Sequence, residues 1–175
     1  MDKFIILSVG RSGSTLVGLS LLPHPELLYF GELFNQSLNR RIEESSHKTC
    51  GYNLRIKKSH YQFKHCEIND DGYKYLSDFY SQNVPFKSIG FKLMKHQLPL
   101  GEQDDVWNYI AEHTEIKIIY LHRNNMLEKI CSVARVEKSN YCHIVKPVVV
   151  TPFVLSIKDF KRMSTILEMA HPVMQ

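Results

Sequence analysis

Three features of the sequence predict an α/β protein, a three-layer α/β/α sandwich around a central parallel sheet. Apolar runs of strand length recur along the chain, runs of helical period separate them, and polar turns fall just after the apolar runs. With 175 residues, 43% hydrophobic and 23% charged, the chain has the make-up of one ordinary globular domain. A single domain over 1–175 is the expectation.

The elements follow in order. Residues 4–9 are apolar throughout, as a strand buried on both faces requires, and 15–22 carry Leu16, Val17, Leu19, Leu21 and Leu22 in a short helix that Pro23 and Pro25 stop. A second short apolar run at 27–30 ends in Gly31-Glu32-Leu33-Phe34-Asn35, where a carboxylate stands among apolar neighbours. From about 36 to 71 the sequence turns polar and loses its period, which predicts loops, short helices and a substrate-facing insert. Tyr73, Leu76, Phe79 and Tyr80 mark a helix over 72–82, and 88–94 is a buried strand interrupted by Lys92. Val106, Trp107, Ile110 and Ala111 mark another helix, and 116–121 a further strand. A helix over 126–136 has Leu127, Ile130, Val133 and Ala134 on its apolar face, and Asn124 and Asn125 stand where its cap belongs. A last helix, 153–169, presents Ile157, Phe160, Met163, Ile166 and Leu167.

In a parallel sheet, ligands gather at the carboxyl ends of the strands. The polar motifs all fall there. The most informative is Gly10-Arg11-Ser12-Gly13-Ser14-Thr15, between the first strand and the first helix. A glycine-containing turn that delivers the chain into a helix N-terminus is a cradle for phosphate or sulfate. Arg11 adds a permanent cation, and Ser12, Ser14 and Thr15 add hydroxyl donors. The plain alternative is a glycine- and serine-rich connection that binds nothing. A Walker A loop needs lysine after its last glycine, whereas Ser14 follows Gly13, which disfavours ordinary ATP hydrolysis.

The remaining composition narrows the classes. A net charge of +4, from 22 basic and 18 acidic residues, suits an anionic ligand but is too small for a nucleic-acid-binding signature. Lys57, Lys58, His60, Lys64 and His65 interleave with Tyr61 and Phe63, a pattern that fits a solvated segment better than a binding surface. Cys50, Cys66, Cys131 and Cys142 lack metal-ligand spacing and are expected to be reduced thiols. The N-terminal apolar run is too short for a membrane span or a signal peptide. A cytoplasmic protein without a nucleic-acid or membrane partner is therefore expected.

Three separated motifs give the chain a resemblance to a known family. The first is the Gly10–Thr15 turn in its Arg-Ser-Gly-Ser form. The second runs Tyr120-Leu121-His122-Arg123-Asn124-Asn125 into the helix that carries Ser132. The third is the pair Gly31–Asn35 and Gly90–Gln97. In their order and intervals these resemble the sulfotransferases that use 3'-phosphoadenosine 5'-phosphosulfate, particularly the bacterial carbohydrate-type branch, over roughly residues 4–140.

The resemblance implies a P-loop NTPase-like fold and assigns roles. Arg11, Ser12, Gly13, Ser14 and Thr15 would hold the 5'-phosphosulfate, with Arg11 where cytosolic relatives carry lysine. Arg123 and Ser132 would hold the 3'-phosphate; they stand nine residues apart where the family has eight. The third pair would flank the acceptor, a hydroxyl of a glycan or small molecule. For the general base, Glu32 is the first candidate, on the expectation that burial raises its carboxyl toward working pH, and His96 the second. Lys92 would neutralise charge on the moving sulfuryl group or serve as a structural ion-pair partner. No metal is required, since Arg11, the loop amides and Lys92 would take the part magnesium plays in kinases. The family's later strand, Tyr-Glu motif and C-terminal segment are not recognisable, which leaves open a minimal variant, a truncated copy or one half of a swapped homodimer. The other functional readings are a P-loop-like kinase and a silent nucleotide-binding remnant.

Overall fold

A computed structural model describes residues 1–35, 71–94, 97–98, 103–139 and 154–169. Four strands, β1 (Asp2–Ser8), β2 (Leu27–Glu32), β3 (Ser88–Met94) and β4 (Ile116–Leu121), form one sheet in the order β2-β3-β1-β4. Every pairing in it is parallel. The helices are α1 (Ser14–Leu21), α2 (Gly72–Tyr80), α3 (Gln103–Glu112), α4 (Met126–Ser139) and α5 (Ile157–Met169). The predicted α/β architecture with helices on both faces is what the chain adopts. The expected insert at about 36–71 lies outside the described residues.

The alternation of side chains along each strand divides the core between two faces. On one face Ile5, Leu7, Leu28, Phe30, Ile89, Phe91 and Leu93 pack under α2 and α3 through Leu76, Phe79, Tyr80, Val106 and Tyr109. Phe79 makes edge-on contacts with Phe30 and Phe91 at centroid distances of 5.2 and 5.4 Å, a favoured aromatic geometry. On the other face Phe4, Ile6 and Tyr29 pack under Val17 and Leu21 of α1. Two glycines make this second face possible. A Cβ on Gly90 would collide with the Phe4 carbonyl and ring, and one on Gly18 with the Tyr29 ring.

The connection from β1 to β2 passes over β3 on the α1 face, whereas those from β2 to β3 and from β3 to β4 run the opposite way on the other face. A uniform crossover hand requires this split. It also makes the chain leave β1 and its neighbour β3 in opposite directions, which opens a crevice between their carboxyl ends.

Three sequence expectations need correction. β4 is an edge strand, and Ile118, Ile119 and Tyr120 are 48%, 42% and 48% exposed, so only β1, β2 and β3 are covered on both faces. Leu127 is exposed. The α4 face that packs consists instead of Met126, Ile130, Val133 and Ala134, which meet Met163 of α5. Ile157 points outward as well, and α5 is held through Met163 and the preceding Leu155.

Candidate functional site

The turn after β1 is built as an anion cradle would be. Gly13 is the N-cap of α1 in the left-handed region, φ 89°, and carries no side chain that could cap the first-turn amides. The next turn closes on the Gly13 carbonyl, which accepts from the amides of Leu16 and Val17. Arg11 is also left-handed, at φ 63°, a conformation that costs an L-residue about 1–2 kcal/mol. Backbone strain at a non-glycine residue is characteristic of functional turns. The space where Gly10 and Gly13 would carry a Cβ is open. The Ser12 hydroxyl is buried and makes no hydrogen bond among the described residues.

The structure joins this turn to the Arg123–Ser132 segment. Arg11 Nε donates to Ser132 Oγ at 2.8 Å, across 121 residues of sequence. Arg123 Nη1 approaches the Arg11 carbonyl oxygen at 3.5 Å, while its Nη2 donates to Glu128 Oε2 at 2.5 Å. Asn125 caps α4, its Oδ1 accepting from the Glu128 amide at 3.1 Å, in keeping with the capping expectation. The register explains the meeting: Ser8 of β1 lies opposite Leu121 of β4, so the two strands release their turns side by side.

Glu32 and Lys92 form a second cluster on the α1 face, on the other side of β1. A β-bulge aims the carboxylate. Tyr29 pairs with Gly90 and Glu32 with Lys92, so three steps of β2 span two of β3, with Gly31 absorbing the extra residue at φ 73°. Without the bulge, strand alternation would turn Glu32 into the aromatic core under α2. With it, Glu32 Oε1 pairs with Lys92 Nζ, and both side chains are buried. The other carboxylate oxygen, Oε2, accepts from Asn35 Nδ2 at 2.5 Å and Gln97 Nε2 at 2.7 Å.

This geometry corrects the expected titration of Glu32. Burial does push the carboxyl upward, but the Lys92 charge and the hydrogen bonds from Lys92, Asn35 and Gln97 outweigh it and hold Glu32 below the ordinary carboxylate range. Glu32 is an ionised carboxylate held by three side chains, and Lys92 is its ion-pair partner. His96 lies outside the described residues.

Two participants had been given no role of their own in the sequence, although Gln97 closes the segment expected to flank the acceptor. Gln97 joins the Glu32 cluster, and its Oε1 is buried with no hydrogen bond among the described residues. Lys129 is fully buried on α4 at 0% exposure, and its amine likewise has no partner. The available signal was a lysine flanking the apolar positions Met126, Ile130 and Val133 of a helix.

Of the cysteines, Cys131 is a free thiol, and the other three lie outside the described residues. No group of three or more His, Cys, Asp or Glu side chains among the described residues is placed to hold a metal ion. No described helix is long and apolar enough to cross a membrane. No protein-family model matches the chain, and no curated protein matches it.

Proposed function

We propose that this protein is a sulfotransferase that takes the sulfuryl group of 3'-phosphoadenosine 5'-phosphosulfate and transfers it to a hydroxyl of a glycan or small molecule. The observation that carries the reading is the Arg11–Ser132 contact. It brings the two motifs expected to hold the two ends of one bis-anionic nucleotide into a single site, beside the crevice where α/β sheets bind ligands. The donor set suits such a guest: guanidinium groups of Arg11 and Arg123, the Ser12 and Ser132 hydroxyls and the α1 N-terminus.

Sulfuryl transfer resembles phosphoryl transfer, in which positioning and charge stabilisation do most of the work. Arg11 and the loop amides would hold the transferring end, and Arg123 with Ser132 the 3'-phosphate. Glu32, held ionised, would take the acceptor proton late, after the sulfuryl bond to the donor has loosened, when a weak base suffices. Lys92 would then be a positioning residue that fixes this carboxylate. Gln97 Oε1 is a ready acceptor for the incoming hydroxyl. A cytoplasmic setting, where the donor is made available as a soluble nucleotide, completes the proposal.

The test is release of adenosine 3',5'-bisphosphate from the donor in EDTA, across a panel of hydroxyl acceptors. Turnover in EDTA is expected, with Arg11→Ala lowering kcat/KM about 10²- to 10³-fold. Consumption of ATP with magnesium, and none of the sulfuryl donor, would establish a kinase instead.

A further inference from the structure

A protein interior rarely holds an unpaired cation, since a buried ammonium without a counter-charge costs several kcal/mol. Lys129 is such a cation: fully buried, with no hydrogen-bond partner for Nζ among the described residues. The two acids described on α4 are committed elsewhere, Glu128 to Arg123 and Glu137 to Arg162. Burial pushes the Lys129 amine below the ordinary lysine range.

Its place on α4 sets what the amine can reach. Lys129 lies three residues before Ser132, so the two share a side of α4, and Ser132 is the residue that Arg11 touches. Helical side chains lean toward the helix N-terminus, which here is the turn bearing Arg123. The buried Ser12 hydroxyl, which makes no hydrogen bond among the described residues, belongs to the loop that touches Ser132 through Arg11. Two buried donors without a hydrogen bond among the described residues thus stand on the two segments, the β1–α1 loop and the first turns of α4, that the Arg11–Ser132 contact joins.

We propose that Lys129 is an anion-binding residue of this site, donating from Nζ to a phosphate or sulfate oxygen held between the β1–α1 loop and α4. The assignment rests on the donor-site reading above and adds to it a third cation. The missing counter-charge of Lys129 is then the ligand itself, and the fold carries the cost of the empty state.

Lys129→Met tests this, because it keeps the volume and removes the charge. Thermal unfolding should show a more stable protein, while calorimetry with adenosine 3',5'-bisphosphate should show affinity lowered about 10- to 100-fold. A less stable variant would mean that the amine is satisfied within the fold, and would overturn the proposal. A more stable variant with unchanged affinity would overturn it too, leaving the nucleotide site intact. If the wild type ignores the nucleotide but binds inorganic pyrophosphate, and Lys129→Met weakens that binding, the Lys129 assignment stands and the sulfuryl-donor reading falls. Binding of neither probe by the wild type would overturn both.

Discussion

Glu32 and Lys92 show how a single pair decides both stability and chemistry. Each is buried, so the pair has no water to fall back on when one partner is removed. Glu32→Gln is expected to cost about 3–5 kcal/mol in chemical denaturation, by leaving the Lys92 ammonium buried without its counter-charge. The double variant Glu32→Gln with Lys92→Met should recover much of that loss. The pair also sets the acid limb of stability. Because Glu32 titrates below its ordinary value of 4.5, its contribution is fully present above that pH and is lost as acid protonates the folded state. Denaturation midpoints measured from pH 6 downward should therefore fall below about 4.5, and less steeply in the double variant. The sequence marked Glu32 as unusual because apolar residues surround it. It did not disclose the direction of the shift, because Lys92 and Gln97 stand 60 and 65 residues away, and only the β2–β3 register brings them to the carboxylate.

At the scale of elements, the carboxylate is aimed by backbone conformation. Gly31 sits at φ 73°, where an L-residue is strained by about 1–2 kcal/mol, so Gly31→Ala should destabilise the fold by that amount. It should also weaken the Glu32–Lys92 pairing, visible as a shallower acid limb in the same titration. Gly90→Ala, on the neighbouring strand, should cost about 1–3 kcal/mol or more, because the new methyl meets the Phe4 carbonyl and β1 cannot retreat from its pairing with β3. Strands β3 and β4 were legible to the residue, since turn chemistry brackets their apolar runs. The faces of α4 and α5 were less so: apolar period alone chose Leu127 and Ile157, whereas the packing between the two helices uses Met126 and Leu155. A hydrophobic residue in the right period is a candidate for the core, and the partner surface selects among the candidates.

For the whole molecule, topology does the gathering. The order β2-β3-β1-β4 puts β1 between the strand that carries Lys92 and the strand that feeds Arg123. The turn after β1 therefore lies between the proposed acceptor cluster and the Arg123–Ser132 segment. That the motifs would share one edge was legible from the alternation of strands and helices; that Arg11 would touch Ser132 was not, because strand order cannot be read from a single sequence. The central claim is that this junction binds a doubly anionic nucleotide without a metal. Calorimetric titration with adenosine 3',5'-bisphosphate in EDTA tests it most directly, on the wild type and on Arg11→Ala and Arg123→Ala. Metal-independent binding that is lost in both variants is the expected result. A wild type that binds ATP with magnesium but not the bisphosphate would contradict the account.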